Sequence, residues 1–208
     1  MNSHRLYLFV CLAMLLAGRG IPAAEPDAAG DGLDASNVVW TSPSEGSSGS
    51  MPLGGGDLGL NLWVEPSGEM VFYLSKTDAW DAHVRLLKLG RVRVKLSPNP
   101  LVEGAPLRQE LRLRQGEIVV TLGKPEEAVR LRVWVDANRP VVRIEAEGQK
   151  PFAIQTDLEL WRTKEGPLEG KQRDAARGLL GAPYPLVVPA DTVVDLAEKS
   201  SDWVVWYH

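Results

Sequence analysis

Two short groupings in this 208-residue chain have the residue types of a chemical site. The first is a glycine run, Met51-Pro52-Leu53-Gly54-Gly55-Gly56-Asp57-Leu58-Gly59. Gly54, Gly56 and Gly59 keep the G-x-G-x-x-G spacing, which cradles a dinucleotide pyrophosphate when a strand precedes it and a helix follows. The second is Lys76-Thr77-Asp78-Ala79-Trp80-Asp81. An indole beside carboxylates and an ammonium can hold a sugar, because the ring's C–H face is apolar and its hydroxyl rim is polar. Asp78, Trp80, Asp81 and Lys76 are therefore candidate carbohydrate-binding or interface residues.

Context decides the first grouping. Pro52 argues against a parallel inner strand before the glycines. After them, Leu60–Val64, the turn Pro66-Ser67-Gly68 and Met70–Leu74 read as strand–turn–strand, a hairpin. No helix N-terminus meets a phosphate, so the dinucleotide reading fails. The glycines fit backbone conformations closed to other residues, or a close approach to the main chain. The second grouping has a plainer reading beside the sugar site: Trp80 packs in a core or against another domain, and the aspartates cap a turn.

Other chemistries find too few residues. Glycoside hydrolysis usually takes two carboxyls, about 5–5.5 Å apart when retaining and about 6.5–9.5 Å apart when inverting. The sequence places no such pair, so no catalytic residue is assigned. Beyond the N-terminal apolar run the histidines are His83 and His208, with no cysteine, which does not make a zinc set. Asp57, Asp78 and Asp81 fit no calcium loop. Gly46-Ser47-Ser48-Gly49-Ser50 is not a nucleophile elbow. No metal and no cofactor is assigned. With 23 basic and 27 acidic residues and a net charge of −4, nothing marks a nucleic-acid partner.

The elements that would position these residues are strands. Val92, Val94 and Leu96 alternate with Arg91, Arg93 and Lys95; Leu111 and Leu113 with Arg112 and Arg114. Val129, Leu131, Val133 and Val135 alternate with Arg130, Arg132 and Trp134; Val142, Ile144 and Ala146 with Arg143, Glu145 and Glu147. Ile154, Leu158 and Leu160 alternate with Gln155, Asp157 and Glu159. Period two puts one face in a core and one in water. Gly/Pro turns at this spacing predict an all-β fold, a two-sheet antiparallel β-sandwich. Ala79–Leu87 is the best short helical candidate, and residues 163–183 read as a long loop. The arginine rows either form a basic face for an anionic glycan or partner, or a solvated face neutralised by Glu110, Glu117 and Glu145. Trp134 and Trp161, on the polar sides of their strands, suit a covered face.

Residues 1–24 read as a signal peptide: His4 and Arg5 precede the apolar run Leu6–Ala17, which is too short to span a bilayer. Cleavage near Ala24 would remove Cys11, the only cysteine, and leave no membrane partner. The expected product is exported, periplasmic or extracellular. Residues 25–36 form a flexible leader by composition, and 37–208 the sandwich domain.

Residues 37–100 carry a resemblance. Trp40 and Pro43 match an early W-x-x-P, Pro52, Leu53, Gly54, Gly56, Leu58 and Gly59 match P-L-G-N-G-x-L-G, and Ser75 to Asp81 form a further block. Gly55 stands where the pattern has Asn, so any polar contact of that Asn is absent here. This stretch closely resembles the bacterial secreted family known as domain of unknown function 5703. That family looks like the N-terminal β-sandwich of glycoside hydrolase family 95-type proteins. The resemblance implies a supersandwich followed by an (α/α)6 barrel that holds the catalytic carboxylates. It implies a non-catalytic support domain, with Met51, Pro52, Leu53, Gly54, Gly56, Asp57 and Gly59 as an interdomain loop at the barrel's active-site mouth. The closing SDWVVWYH reads as a strand in progress, with Trp203, Val205 and Tyr207 on one face. The expectation is that the sequence stops inside a larger protein, before the barrel, or that its end is a gene-model artefact; the plain alternative is a docked C-terminal strand. Two alternatives stay open: a free-standing carbohydrate-binding module, and a sugar-blind structural β domain.

Overall fold

The computed structural model describes residues 32–179, 181–194 and 204–208. The segment read as a signal peptide, residues 1–24, and most of the expected leader lie outside the described residues. Ten strands build two sheets: β1 (Val38–Trp40), β2 (Met51–Gly55), β3 (Leu58–Val64), β4 (Met70–Trp80), β5 (Leu86–Ser97), β6 (Leu107–Arg112), β7 (Glu117–Leu122), β8 (Val129–Val135), β9 (Val142–Gly148) and β10 (Ala153–Glu159). The first sheet runs β1-β6-β7-β8-β9 and the second β10-β5-β4-β3-β2, with every pair antiparallel. Beyond β10 come the short strands β11 (Gly166–Pro167), β12 (Val187–Val188), β13 (Thr192–Val194) and β14 (Val205–Tyr207), and one helix, α1 (Gly170–Ala175). The protein is the all-β, two-sheet sandwich that the alternation predicts.

The inner faces make one core. Leu62 from the second sheet and Ile118, Val120, Leu122, Leu131 and Val133 from the first are completely buried. Met51, Leu60, Met70, Phe72 and Val94 close the seam from the other side. Gln109 is the buried polar residue in this layer, and its side-chain amide donates to the Leu62 carbonyl across the sheets (3.4 Å).

Outer-face charges are matched by register. Arg132 stands opposite Glu145 and binds it at 2.8 Å, and it also holds Glu117 at 2.8 Å. Arg112 takes Glu110 and Glu117, both at 3.3 Å. On the second sheet Arg93 meets Glu65 (2.6 Å), Glu69 (2.5 Å) and Glu159 (2.6 Å), while Arg91 shares Glu159. The arginine rows are thus internally neutralised, with the three glutamates named from sequence among the partners. Burial opposes charge on both Arg93 and Glu159. The carboxylates nevertheless hold the guanidinium more firmly protonated, and the two arginines hold Glu159 below the usual carboxylate range.

Three expectations change. Ala79–Leu87 is the end of β4, a turn and the start of β5, not a helix. The Asp81 carboxylate accepts from the His83 and Arg85 amides, a local bond that competes with helix. Residues 163–183 are no plain loop: β11, α1 and β12 gather a small second core of Leu168, Ala176, Leu186 and Val188. The end of the leader is ordered too, with Asp34–Ser36 in a 3-10 turn and Asp34 paired with Arg114 at 3.2 Å.

Ile118 fills the centre of the seam, so Ile118→Ala should destabilise the domain by about 2–5 kcal/mol, read as a lower midpoint in chemical denaturation. A change under about 0.5 kcal/mol would mean the seam is loosely packed.

Candidate functional site

The glycine run builds a hairpin, not a loop. β2 is the edge strand of the second sheet, which accommodates Pro52. Met51 and Leu53 point into the core, and Gly54 pairs with Gly59. Of the residues read as an interdomain loop, Gly56 and Asp57 alone form the connection. Gly56 has φ +58° at the first central position of this two-residue turn, the place where a type II′ hairpin uses glycine. Gly55 has a different reason: a Cβ there would lie 3.3 Å from the Val135 side chain and carbonyl on the facing sheet. Both glycine roles inferred from sequence, unusual backbone and close approach, are present at neighbouring positions.

The Lys76–Asp81 segment lies at the same end. Lys76 pairs with Leu58 just after the Gly56–Asp57 turn, and its ammonium bridges Asp57 (2.9 Å) and Asp78 (2.5 Å). The hydrogen bond to Asp78, then that to Asp57, raises the Lys76 pKa, and the same bond lowers that of Asp78. Between Ser75, opposite Lys88, and Trp80, opposite Leu86, five steps on β4 meet two on β5. β4 therefore bulges outward here, which displaces side chains from the sheet plane. Trp80 is 56% exposed, and its indole N–H donates to the Thr77 carbonyl at 2.7 Å. Its ring face is open while its polar edge is satisfied.

Asp81 parts from this group. Its side chain is 1% exposed and serves as the brace of the β4–β5 turn. It accepts from the His83 amide (3.0 Å), the Arg85 amide (2.9 Å) and the Arg85 guanidinium Nε (2.7 Å), with Nη2 at 2.5 Å. Burial works against the charge, but the Arg85 guanidinium and the two amides together hold the carboxyl below its usual range. Arg85 Nη1 reaches on to Gln172 Oε1 of α1 (3.2 Å). The turn-capping reading is therefore correct for Asp81, while Lys76, Asp78 and Trp80 remain together at the surface.

Val84, Arg162 and Asp191 carried no sequence signal. Val84 sits in the turn at φ +57° and is 70% exposed; a positive φ leaves no mark on residue type when the residue is valine. Asp191, with a 1% exposed side chain, holds Arg162 Nε (2.8 Å) and His208 Nδ1 (3.0 Å). Arg162 Nη1 also binds the Lys88 carbonyl (3.0 Å), and the Trp206 indole binds that of Leu89 (3.0 Å). These bonds fasten the β13–β14 ribbon to β5. Trp161 stands edge-on to Tyr73 at 5.8 Å, and Tyr73 tilts against the buried Trp63 at 5.4 Å. Trp134 lies under Arg132.

At the opposite end a shallow cleft of about 420 Å³ is lined by Thr41, Pro43, Pro66, Val102, Glu103 and Pro106, with no converging charges. Among the described residues no three His, Cys, Asp or Glu side chains gather as metal ligands. No helix among them is long and apolar enough to cross a membrane.

A family model described as a domain of unknown function (DUF5703) matches residues 39–208. No curated protein matches the chain.

Because the Asp81 pKa is lowered by folding, its contribution to the turn is present above the unfolded carboxylate pKa of about 3.9 and lost as pH falls through the lower folded value. The His83 and Arg85 amide NMR signals should titrate together with a midpoint below about 3.9, and Asp81→Asn should abolish that step. A midpoint at or above the ordinary value would show the carboxylate to be unbraced.

Proposed function

The chain belongs to the DUF5703 family, and from that membership and the fold we propose that it is the non-catalytic N-terminal β-sandwich domain of an exported glycoside-hydrolase-like protein. In this reading it supports a catalytic (α/α)6 barrel and its active-site mouth. The observation that carries the reading is a division of the surface. The sheet faces are closed by ion pairs, whereas most of the large apolar side chains that are more than half exposed among the described residues stand at one end: Trp80, Val84 and Leu86 on the β4–β5 turn, Tyr184 before β12, and Val193 and Tyr207 on the ribbon, with Val102 alone at the other end. The bonds Arg85–Gln172, Arg162–Lys88 and Trp206–Leu89 set these elements side by side. Exposed apolar side chains gathered at one end of a domain mark a contact surface. The reading assigns the Gly56–Asp57 turn, whose Asp57 binds Lys76 at 2.9 Å, to the barrel mouth.

A second reading, the carbohydrate-binding module, is favoured by the open ring face of Trp80 beside Lys76 and Asp78. A purely structural β domain is the third. These differ in what they bind. The support-domain reading expects no saturable heat when millimolar mono- and oligosaccharides are titrated, and Trp80→Ala indistinguishable from wild type. Saturable binding lost in Trp80→Ala would establish the module instead.

The intact size of the native exported polypeptide, detected with antibody to residues 37–208, tests the proposal directly. A polypeptide several times the 22.8 kDa of this chain is expected. A product at the size of this chain would overturn the support-domain reading.

A further inference from the structure

A cleft of about 220 Å³ opens beside α1. Leu168 and Leu186, both buried in the small second core, line it together with Leu179, which packs against that core. The Leu168 amide donates to the Leu186 carbonyl at 2.8 Å, and the Leu179 amide to the Ala176 carbonyl at 2.9 Å. These main-chain groups are engaged, so recognition in the cleft falls to side chains.

Three polar side chains border it: Glu169, Arg173 and Tyr184. All three residues are exposed, and among the described residues none of their side chains has a hydrogen bond or ion pair. The arginines of the sheets follow the opposite rule: each one on β5, β6, β8 and β9 has a carboxylate partner, as Arg130 has Glu147 and Arg143 has Asp136. Glu169 stands four residues before Arg173, the order and spacing that favour an ion pair on a helix. Its backbone is extended, with φ −128° and ψ 165°, so it precedes the helical turn and the pair does not close. Two opposite charges are left free on one cleft.

A ligand that covers free charges without answering them meets their desolvation cost. A neutral sugar or a hydrocarbon would do that here, and a simple acid would answer Arg173 while setting a second carboxylate beside Glu169. A zwitterion answers both. At about 220 Å³ the cleft is below the range of about 300–1,000 Å³ that takes drug-sized ligands, so its occupant is small. We propose that the cleft binds a free amino acid with an aliphatic or aromatic side chain. The planar guanidinium of Arg173 takes the carboxylate. The Glu169 carboxylate takes the ammonium, and the ligand's side chain lies on Leu168, Leu179 and Leu186 beside the Tyr184 ring. The inference does not rest on the support-domain reading: the intact size of the native polypeptide decides that reading and leaves this site as it stands.

Both charge pairs are exposed, which sets the expected affinity in the millimolar range. Saturation-transfer NMR and calorimetry on the exported protein test the site, with L-leucine and L-phenylalanine as probes. Saturable binding is expected for both. Arg173→Gln and Glu169→Gln should each weaken phenylalanine binding by about tenfold. Neither side chain has a partner within the described fold, so both variants should keep the wild-type unfolding midpoint. N-acetylphenylalanine lacks the ammonium and should lose no affinity in Glu169→Gln; phenylalaninamide lacks the carboxylate and should lose none in Arg173→Gln. No saturation in the tens of millimolar, phenylalanine binding unchanged in both variants, or N-acetylphenylalanine as tight as phenylalanine overturns the proposal. Saturable binding that is lost in Trp80→Ala and kept in both cleft variants would place the ligand on the β4–β5 turn and overturn this site.

Discussion

Strand alternation is the constraint on which this molecule depends. It sends one residue in two into the seam between the sheets and leaves the next one outside. The outward positions are rich in arginine, and an unneutralised row of like charges across neighbouring strands would oppose sheet formation. Register resolves this by placing carboxylates opposite or diagonal to each arginine, as Arg132 has Glu145 and Glu117. Exposed pairs of this kind contribute about 0–1 kcal/mol each, so the seam rather than the ion pairs supplies most of the stability. Their main effect is on register, since a one-residue slip would set arginines against hydrophobic side chains in the core. The Arg93 cluster differs in being half-sheltered, and it lies on the same outer face as the buried Trp63 and Val71.

The far end of the second sheet follows another logic. There β4 and β5 run past the sandwich, bulge, and turn on the buried Asp81–Arg85 pair. A buried pair of this type is costly to desolvate, and its clearest use is to fix one geometry. It fixes the turn, and through Gln172 it fixes the turn against α1. The small core of Leu168, Ala176, Leu186 and Val188 and the Arg162–Asp191–His208 cluster fasten the chain's last elements to the same end. This end combines the most local polar engineering with the most exposed apolar area.

The sandwich was legible because its signal is periodic. Val129 to Val135 and Val142 to Ala146 alternate without interruption, and the structure seats them face for face. The unusual backbone among the glycines was legible from residue type, but neither the Gly56 turn nor β2 was: three successive glycines mask a strand whose Met51 and Leu53 are core residues. Residues 163–183 were misread for a related cause. Their core contacts come from single leucines and an alanine spaced irregularly among glycine and charge, and no period reports them. At the candidate site, residue type showed that Asp81 could cap a turn. It could not show that Arg85, four residues on, would bury that carboxylate, nor that Val84 would be driven to a positive φ. Both follow from closure of the hairpin, which is a tertiary event.

The β13–β14 ribbon has a further consequence. Its six residues, Thr192, Val193, Val194, Val205, Trp206 and Tyr207, carry no charge, and among the described residues neither strand has a second neighbour. Sheet edges in soluble proteins are commonly guarded by lysine, proline or a bulge. This edge has none of these, but its strands are three residues long, shorter than the six- or seven-residue segments that stack as cross-β, and shortness is itself a guard. The ribbon can therefore carry an uncharged, aromatic face at the margin of the fold with little room for another chain to pair along it.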